Sequence, residues 1–310
     1  MLAELGIERP FLIASKRWSS FDLPSVGSWH EVPSDRVEEI AGLVAANGAD
    51  GLLAVGGGSA IDLAKGVSAA TGLPVVSVPT TYSGAEWTSF YGVRDPDRRM
   101  RGGGAGANLH AIVYEPKLTL ELPVPETVGT SLNALAHCAE ALYVRERTPD
   151  SDRDALAGAE LIGAWLPRVV EQPGELDPRD GLLHGASRAG AALGGSMLAL
   201  GHALAQALGG RYGAPHGALN ALTLPPALRF NEPVAGEAIA RFGAALGTDD
   251  PAARVEELAR LGGFERLRDL GIPEDAAEEV AEAVAARPGA KANPREVTAA
   301  DAEALIRSIW

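Results

Sequence analysis

Residues 51–81, GLLAVGGGSAIDLAKGVSAATGLPVVSVPTT, constrain the fold more than any other stretch. An apolar run at 51–55 predicts a strand. Glycines follow, then a helical pattern over 59–70, a Gly-Leu-Pro break and a second apolar run at 74–78. That order is one βαβ unit, and such units build parallel sheets. PFLIAS at 10–15 predicts a further buried strand, and HAIVY at 110–114 another. Residues 35–48 predict a helix, with Val37, Ile40, Leu43 and Val44 on one face behind a Ser34-Asp35 N-cap. Only SKRWSSFDLPS separates the first strand from the extended segment at 26–32. That connection is too short and polar for a full crossover helix, so the first βαβ unit is abbreviated.

From residue 124 the pattern turns helical. Helices are predicted over 127–146, 153–171, 180–209, 217–229, 233–246, 251–261, 263–270, 274–286 and 298–309, divided by Gly and Pro. Several are apolar all round, as expected of helices buried among helices. The boundary falls near EPKLTLELPVP, giving an α/β domain over 1–120 and an all-α domain over 121–310. The 310 residues suffice for two domains. A net charge of −14 argues against nucleic-acid binding. No apolar run is long enough to span a membrane, and the N-terminus lacks a basic segment followed by an apolar core. A single cysteine, Cys138, leaves no disulfide framework. A cytoplasmic location is the expectation.

Three constellations carry chemistry. Gly56-Gly57-Gly58-Ser59 lies between a strand and a helix, where the backbone can approach a phosphate and the helix N-terminus favours an anion. It is not the G-x-G-x-x-G pattern. Thr80, Thr81, Tyr82 and Ser83 follow the next strand, at the end of a parallel sheet where ligands bind; a polar helix cap is the other reading. Asn133 and His137 are four apart on one helix, His202 and Gln206 repeat that spacing on another, and His216 opens a third in a Pro-His-Gly turn. Burying such pairs without a purpose costs stability. His30, His110 and His184 read as surface or local hydrogen-bonding residues, and Cys138 as packing. Arg94, Arg98, Arg99 and Arg101 read as a solvated loop, with an anion clamp as the alternative.

Together these segments resemble the iron-containing alcohol dehydrogenase superfamily, and within it the maleylacetate reductase branch. The resemblance is carried by AVGGGSAIDLAKGVSAATGLPVVSVPTTYSGAEWT, VYEPKLTLELP, SLNALAHCAEALY, HALAQALGGRYGAPHGALNALTLPPALRFN and NPREVTAADAEALI. It implies a dehydroquinate-synthase-like fold: a Rossmann-like nucleotide-binding α/β domain, here abbreviated, then a helical domain, with the active site in the cleft between them. It implies a diphosphate loop at Gly56–Ser59, followed by Asp62 and Lys65 on the helix, and a second cofactor loop at Thr80–Ser83. Metal-dependent members hold a divalent ion with one aspartate and three histidines, at positions matching Asn133, His137, His202 and His216. Asparagine at the aspartate position resembles the maleylacetate reductases, which work without metal, because an amide is a poor ligand for a hard cation. The implied reaction adds hydride from NAD(P)H to the conjugated double bond of maleylacetate, giving 3-oxoadipate. His137, His202 or His216 would donate to the oxo oxygen, and Arg94, Arg99 or Arg211 would hold the carboxylates. The substrate is thus a small anionic oxo-acid, and the assembly a homodimer.

Three departures stand out. Gln206 replaces a histidine usual in both branches, and glutamine is no proton acid near neutral pH. The chain opens without the family's first β-hairpin region and much of its first crossover helix. Ser15-Lys16-Arg17 stands where NAD-preferring members often carry an acidic residue, which points to NADPH or dual use. Two other readings stay open: a metal-dependent aldehyde or ketone reductase using three histidines, and a non-catalytic nucleotide-binding homologue.

Overall fold

The computed structural model describes residues 2–20 and 23–310. It divides into two compact units, residues 1–81 with 85–118 and residues 82–84 with 119–310.

The first unit is an α/β sandwich around five parallel strands. β1 (Pro10–Ala14), β2 (Gly27–Trp29), β3 (Gly51–Gly56), β4 (Pro74–Pro79) and β7 (Asn108–Ile112) lie in the order β2-β1-β3-β4-β7. Alternate residues of the strands feed two cores. Phe11, Ile13, Leu52, Ala54 and Val75 pack under α1 (Val37–Ala46) and α2 (Gly58–Thr71). Leu12, Ala14, Leu53, Val55 and Val76 face the other way, against Ile7 and the partly buried Leu5, Trp18 and Leu23. Both faces of β3 are buried, hence its unbroken apolar run. The connection from β1 to β2 holds a single 3-10 turn, Lys16–Trp18, among the described residues. No α-helix forms in the described part of this crossover, and Leu5, Ile7, Trp18 and Leu23 pack against one face of the sheet.

The Arg94–Arg101 segment is not a solvated loop. It forms an antiparallel hairpin of β5 (Tyr91–Arg94) and β6 (Met100–Gly104). Polar and glycine-rich, these strands lack the apolar alternation that would announce them. Asp62 and Lys65 of α2 fix this region. Lys65 is buried, donating to the carbonyls of Ala85 (2.7 Å) and Phe90 (2.5 Å) and pairing with Asp62 (2.8 Å). Asp62 in turn accepts from the Gly92 N–H (3.3 Å).

The second unit is helical. α3 (Val124–Ala141) is buried along most of its length and packs with α4 (Pro149–Glu171), α5 (Leu176–Gly194) and α7 (His216–Ala245). α6 (Leu200–Tyr212), α8 (Pro251–Arg260), α9 (Ala276–Ala285), α10 (Pro288–Ala292) and α11 (Ala299–Ser308) complete it. Residues 180–209 are two helices, not one, separated at 195–199. The two helices expected over 217–246 run on as α7, with a kink at Ala235 (φ −130°, ψ 23°). Within 263–270 only a 3-10 turn forms, at Leu267–Leu270. Thr148 and Thr298 close capping boxes at α4 and α11, which sets where those helices begin. At Gly217 a Cβ would come within 2.5 Å of the Gly129 carbonyl carbon, so only glycine lets α7 start this close to α3.

Arg179 of α5 is 1% exposed. Its guanidinium donates to the carbonyls of Pro173 (2.9 Å), Thr119 and Leu120 (3.2 Å) and to the Tyr82 hydroxyl (3.3 Å). Arg179→Met retains the bulk but leaves three carbonyls, that of Thr119 buried, without this donor. It is expected to lower unfolding stability by about 3 kcal/mol in urea titration followed by circular dichroism. A loss below about 1 kcal/mol would show that these bonds do not anchor the helical unit.

Candidate functional site

In the α/β unit the predicted cofactor residues meet at the carboxyl ends of three neighbouring strands. The Ser15 N–H donates to the Val55 carbonyl (3.2 Å) and the Thr80 N–H to the Gly56 carbonyl (2.9 Å). β2 and β3 run to opposite sides of β1, so the ends of β1 and β3 form the topological switch point where such sheets bind ligands. Gly56 has φ 151°, and a Cβ there would lie 2.8 Å from that of Ala60 and 3.3 Å from the Ser15 hydroxyl. Gly57 is the N-cap of α2, and no side chain caps the helix. The Ala60 and Ile61 N–H groups both turn back to the Gly57 carbonyl (2.9 and 3.2 Å). The N–H groups of Gly58 and Ser59 are those an anion would take. The Thr81 hydroxyl is buried without a hydrogen-bond partner. Asp62, engaged with Lys65 and Gly92, acts on the loop's support.

In the helical unit three of the predicted histidines come together. The His137 and His202 rings stack at 4.8 Å with 14° between their planes, and His216 tilts against His202 at 5.9 Å. Asn133 joins them through its amide: Nδ2 donates to the Ser83 carbonyl (2.9 Å), and Oδ1 accepts from Asn220 Nδ2 (2.7 Å). Asn220 Nδ2 also lies 3.1 Å from His216 Nε2. His137 Nδ1, His202 Nε2, Asn220 Oδ1 and the Ser83 hydroxyl are buried without partners. Several unsatisfied polar atoms in one place make this a candidate ligand site, since buried polar groups are ordinarily paired. Burial, and then the neighbouring His202 and His216, hold the His137 imidazole well below the usual histidine range, so it is neutral near pH 7.

Glu140 and Asn220 escape sequence reading. Glu140 is fully buried, and its carboxylate accepts from the N–H groups of Ala199 (2.7 Å) and His202 (3.0 Å) and from His202 Nδ1 (2.7 Å). An acid inside the alanine-rich run LNALAHCAEAL was the available signal. Asn220 stands four residues after His216, the same spacing that linked Asn133 to His137. With a carboxylate as acceptor, His202 carries its proton on Nδ1 and leaves Nε2 a buried acceptor without a partner.

Other expected residues are placed elsewhere. The Tyr82 side chain is fully buried and bonds Thr119 (3.1 Å) and Arg179, which commits it to packing in the helical unit. Arg211 is exposed and pairs with Glu279, while Arg101 pairs with Asp95. Arg94 is half-buried, and burial lowers its pKa against the pull of Asp62. Cys138 is buried and packs near Gly158. Among the described residues, no three His, Cys, Asp or Glu side chains adopt a metal-holding arrangement.

Two family models match the chain. The model of the Fe-containing alcohol dehydrogenase family, C-terminal, covers residues 127–310, and that of iron-containing alcohol dehydrogenase covers 25–113. The maleylacetate reductase of Pseudomonas knackmussii is 37% identical over 285 residues, 92% of this chain and 80% of its own. An iron-containing alcohol dehydrogenase structure from Corynebacterium glutamicum has a TM-score of 0.90 at 30% identity, covering 99% of this chain and 89% of that one. A maleylacetate reductase structure from a Rhizobium species has a TM-score of 0.89 at 27% identity, covering 100% and 91%. The chain belongs to the iron-containing alcohol dehydrogenase family and is an oxidoreductase.

Glu140→Gln replaces an acceptor facing His202 Nδ1 with an amide that can donate. In ¹⁵N spectra of histidine-labelled protein, His202 is expected as the Nδ1–H tautomer in the wild type and as Nε2–H in the variant. A wild-type Nε2–H signal would remove Glu140 as the group that orients the ring.

Proposed function

We propose that the chain is an NAD(P)H-dependent, metal-independent reductase of the maleylacetate type, acting on the carbon–carbon double bond of an unsaturated oxo-diacid. The observation that carries this reading is the Asn133 amide. Both of its ends are engaged, Nδ2 with the Ser83 carbonyl and Oδ1 with Asn220. An aspartate here would set a carboxylate oxygen against the Ser83 carbonyl. The geometry also fits a metal poorly. Imidazole lone pairs lie in the ring plane, so the nearly parallel rings of His137 and His202 do not aim at one ion. The similarity to maleylacetate reductases over most of the chain supports the same branch.

Bound nicotinamide would supply the hydride to the carbon β to the oxo group. The protein's part is to bind and to place charge. Gly56–Ser59, Ser15, Thr80 and Thr81 would hold the cofactor's phosphate and ribose groups through backbone N–H groups and hydroxyls. Charge gathers on the oxo oxygen as the enolate forms, and a proton from solvent completes the reduction at the α-carbon. A hydrogen-bond donor at that oxygen would stabilise the transition state, and His137 and His216 are the rings of the cluster that could donate there. Gln206 contributes hydrogen bonding without acid chemistry.

One observation favours a metal-dependent carbonyl reductase instead. Glu140 on Nδ1 leaves His202 Nε2 a lone-pair acceptor without a partner, as carboxylates often do behind metal-bound histidines. Chelator-treated, metal-analysed protein is expected to oxidise NADPH with maleylacetate at full rate. Loss of that rate on chelation, with recovery on zinc or iron, would establish the metal reading. No turnover under either condition would exclude both.

Ser15 stands at the end of β1 with two cations after it, positioned to admit a 2′-phosphate. Ser15→Asp is expected to lower kcat/KM for NADPH relative to NADH by about tenfold or more through charge repulsion. An unchanged ratio would place the 2′-phosphate elsewhere.

A further inference from the structure

Arg287, the N-cap of α10, is half-buried beside α6. Its Nη1 reaches Gln206 Oε1 at a long 3.4 Å, and Nη2 donates to the Gln206 carbonyl at 3.2 Å. Both contacts use the end of the guanidinium. Nε is buried and has no hydrogen-bond partner. The side-on edge, Nε–H with the second proton of Nη2, is therefore unused, and that edge suits a carboxylate bidentately. No salt bridge to Arg287 exists among the described residues, although the chain carries 41 acidic residues. Burial lowers the pKa of its guanidinium, with no carboxylate opposing the shift. A half-buried cation with an unmet donor is costly to keep without a purpose.

Its location gives the purpose. Gln206 lies one turn beyond His202 on the same face of α6, about 6 Å along the helix. Gln206 also occupies the position where the resemblance leads one to expect histidine. A glutamine there can hold the end of an arginine, which a cationic histidine would repel.

We propose that Arg287, held by Gln206, is the carboxylate-binding residue of the site and selects substrates bearing a carboxylate near the reacting carbons. This assigns to Arg287 the task that sequence reasoning gave to Arg94, Arg99 or Arg211. It deepens the reductase reading and rests on it for the identity of the substrate, but not for the anion site itself.

The probe is adipate, a saturated six-carbon dicarboxylate with nothing to reduce, titrated calorimetrically into the full chain with NADP⁺ present. Adipate is expected to bind the wild type. Arg287→Gln is expected to weaken it about 30-fold, and Arg287→Lys, which keeps the charge but not the fork, by less. NADPH binding by fluorescence should not change in either variant, which also reports that both are folded. With maleylacetate the loss should appear mainly in KM. Equal adipate affinity in wild type and variants, or no adipate binding to the wild type, overturns the proposal. Should Arg287→Gln fail to fold, the Arg287→Lys comparison decides alone. Adipate binding through Arg287 without turnover of maleylacetate keeps the anion site and removes the reductase reading.

Discussion

A carboxylate buried in the middle of an alanine-rich helical unit organises the chemistry here. Glu140 has no solvent around it, so its carboxyl oxygens are satisfied only because three donors converge on them: the Ala199 and His202 N–H groups and the His202 ring. Two of these are the free N–H groups of a helix start, where the dipole also favours an anion. Such a start must exist at this point, and the chain provides it by breaking at 195–199 before α6. Were 180–209 one continuous helix, those N–H groups would be bonded within it and Glu140 would be a buried charge without compensation. The place of α6, the direction of His202 and the stacking of His137 upon it follow from that one requirement.

This explains what the sequence could and could not convey. The βαβ core was legible because its apolar runs, glycine turn and helical period are all local. The i,i+4 pairs Asn133–His137 and His202–Gln206 were legible for the same reason. The break before α6 was not, because GSMLALGHAL reads as helix throughout and its true partner, Glu140, is some sixty residues earlier in sequence. The β5–β6 hairpin was hidden in the same way. Its strands are polar and rich in glycine, and Asp62 and Lys65 of α2 secure the surrounding chain. Tyr82 looked like part of a ligand loop, yet its aromatic side chain closes onto Arg179, a contact no local pattern announces.

The α/β unit keeps the strand ends and helix start of a dinucleotide fold although its first crossover is short. The described part of the first crossover holds only a 3-10 turn, and Ile7, Leu5, Trp18 and Leu23 pack against one face of the sheet. The strand ends keep their register nevertheless, because Ser15, Val55, Gly56 and Thr80 are tied by backbone hydrogen bonds rather than by the lost helix. The features that matter to a phosphate, an uncapped helix start and a glycine at φ 151°, belong to β3 and α2, which are intact.

Charge at the helical site runs against the charge of the chain. A protein of net −14 repels a dianionic oxo-acid at long range, so the site itself must supply the attraction. Relative to a metal-holding arrangement, it lacks the aspartate charge at Asn133, and its carboxylate at Glu140 is consumed by three donors. His137 is neutral, and Arg287 brings a cation without an acidic partner among the described residues. The carboxamides of Asn133 and Asn220 bridge the remaining space without adding charge. On the reading proposed above, a substrate carboxylate would meet a cation and the developing enolate a set of neutral donors. On that reading, an asparagine at 133 and an arginine seated on Gln206 would act in the same direction, each favouring an anion at the site.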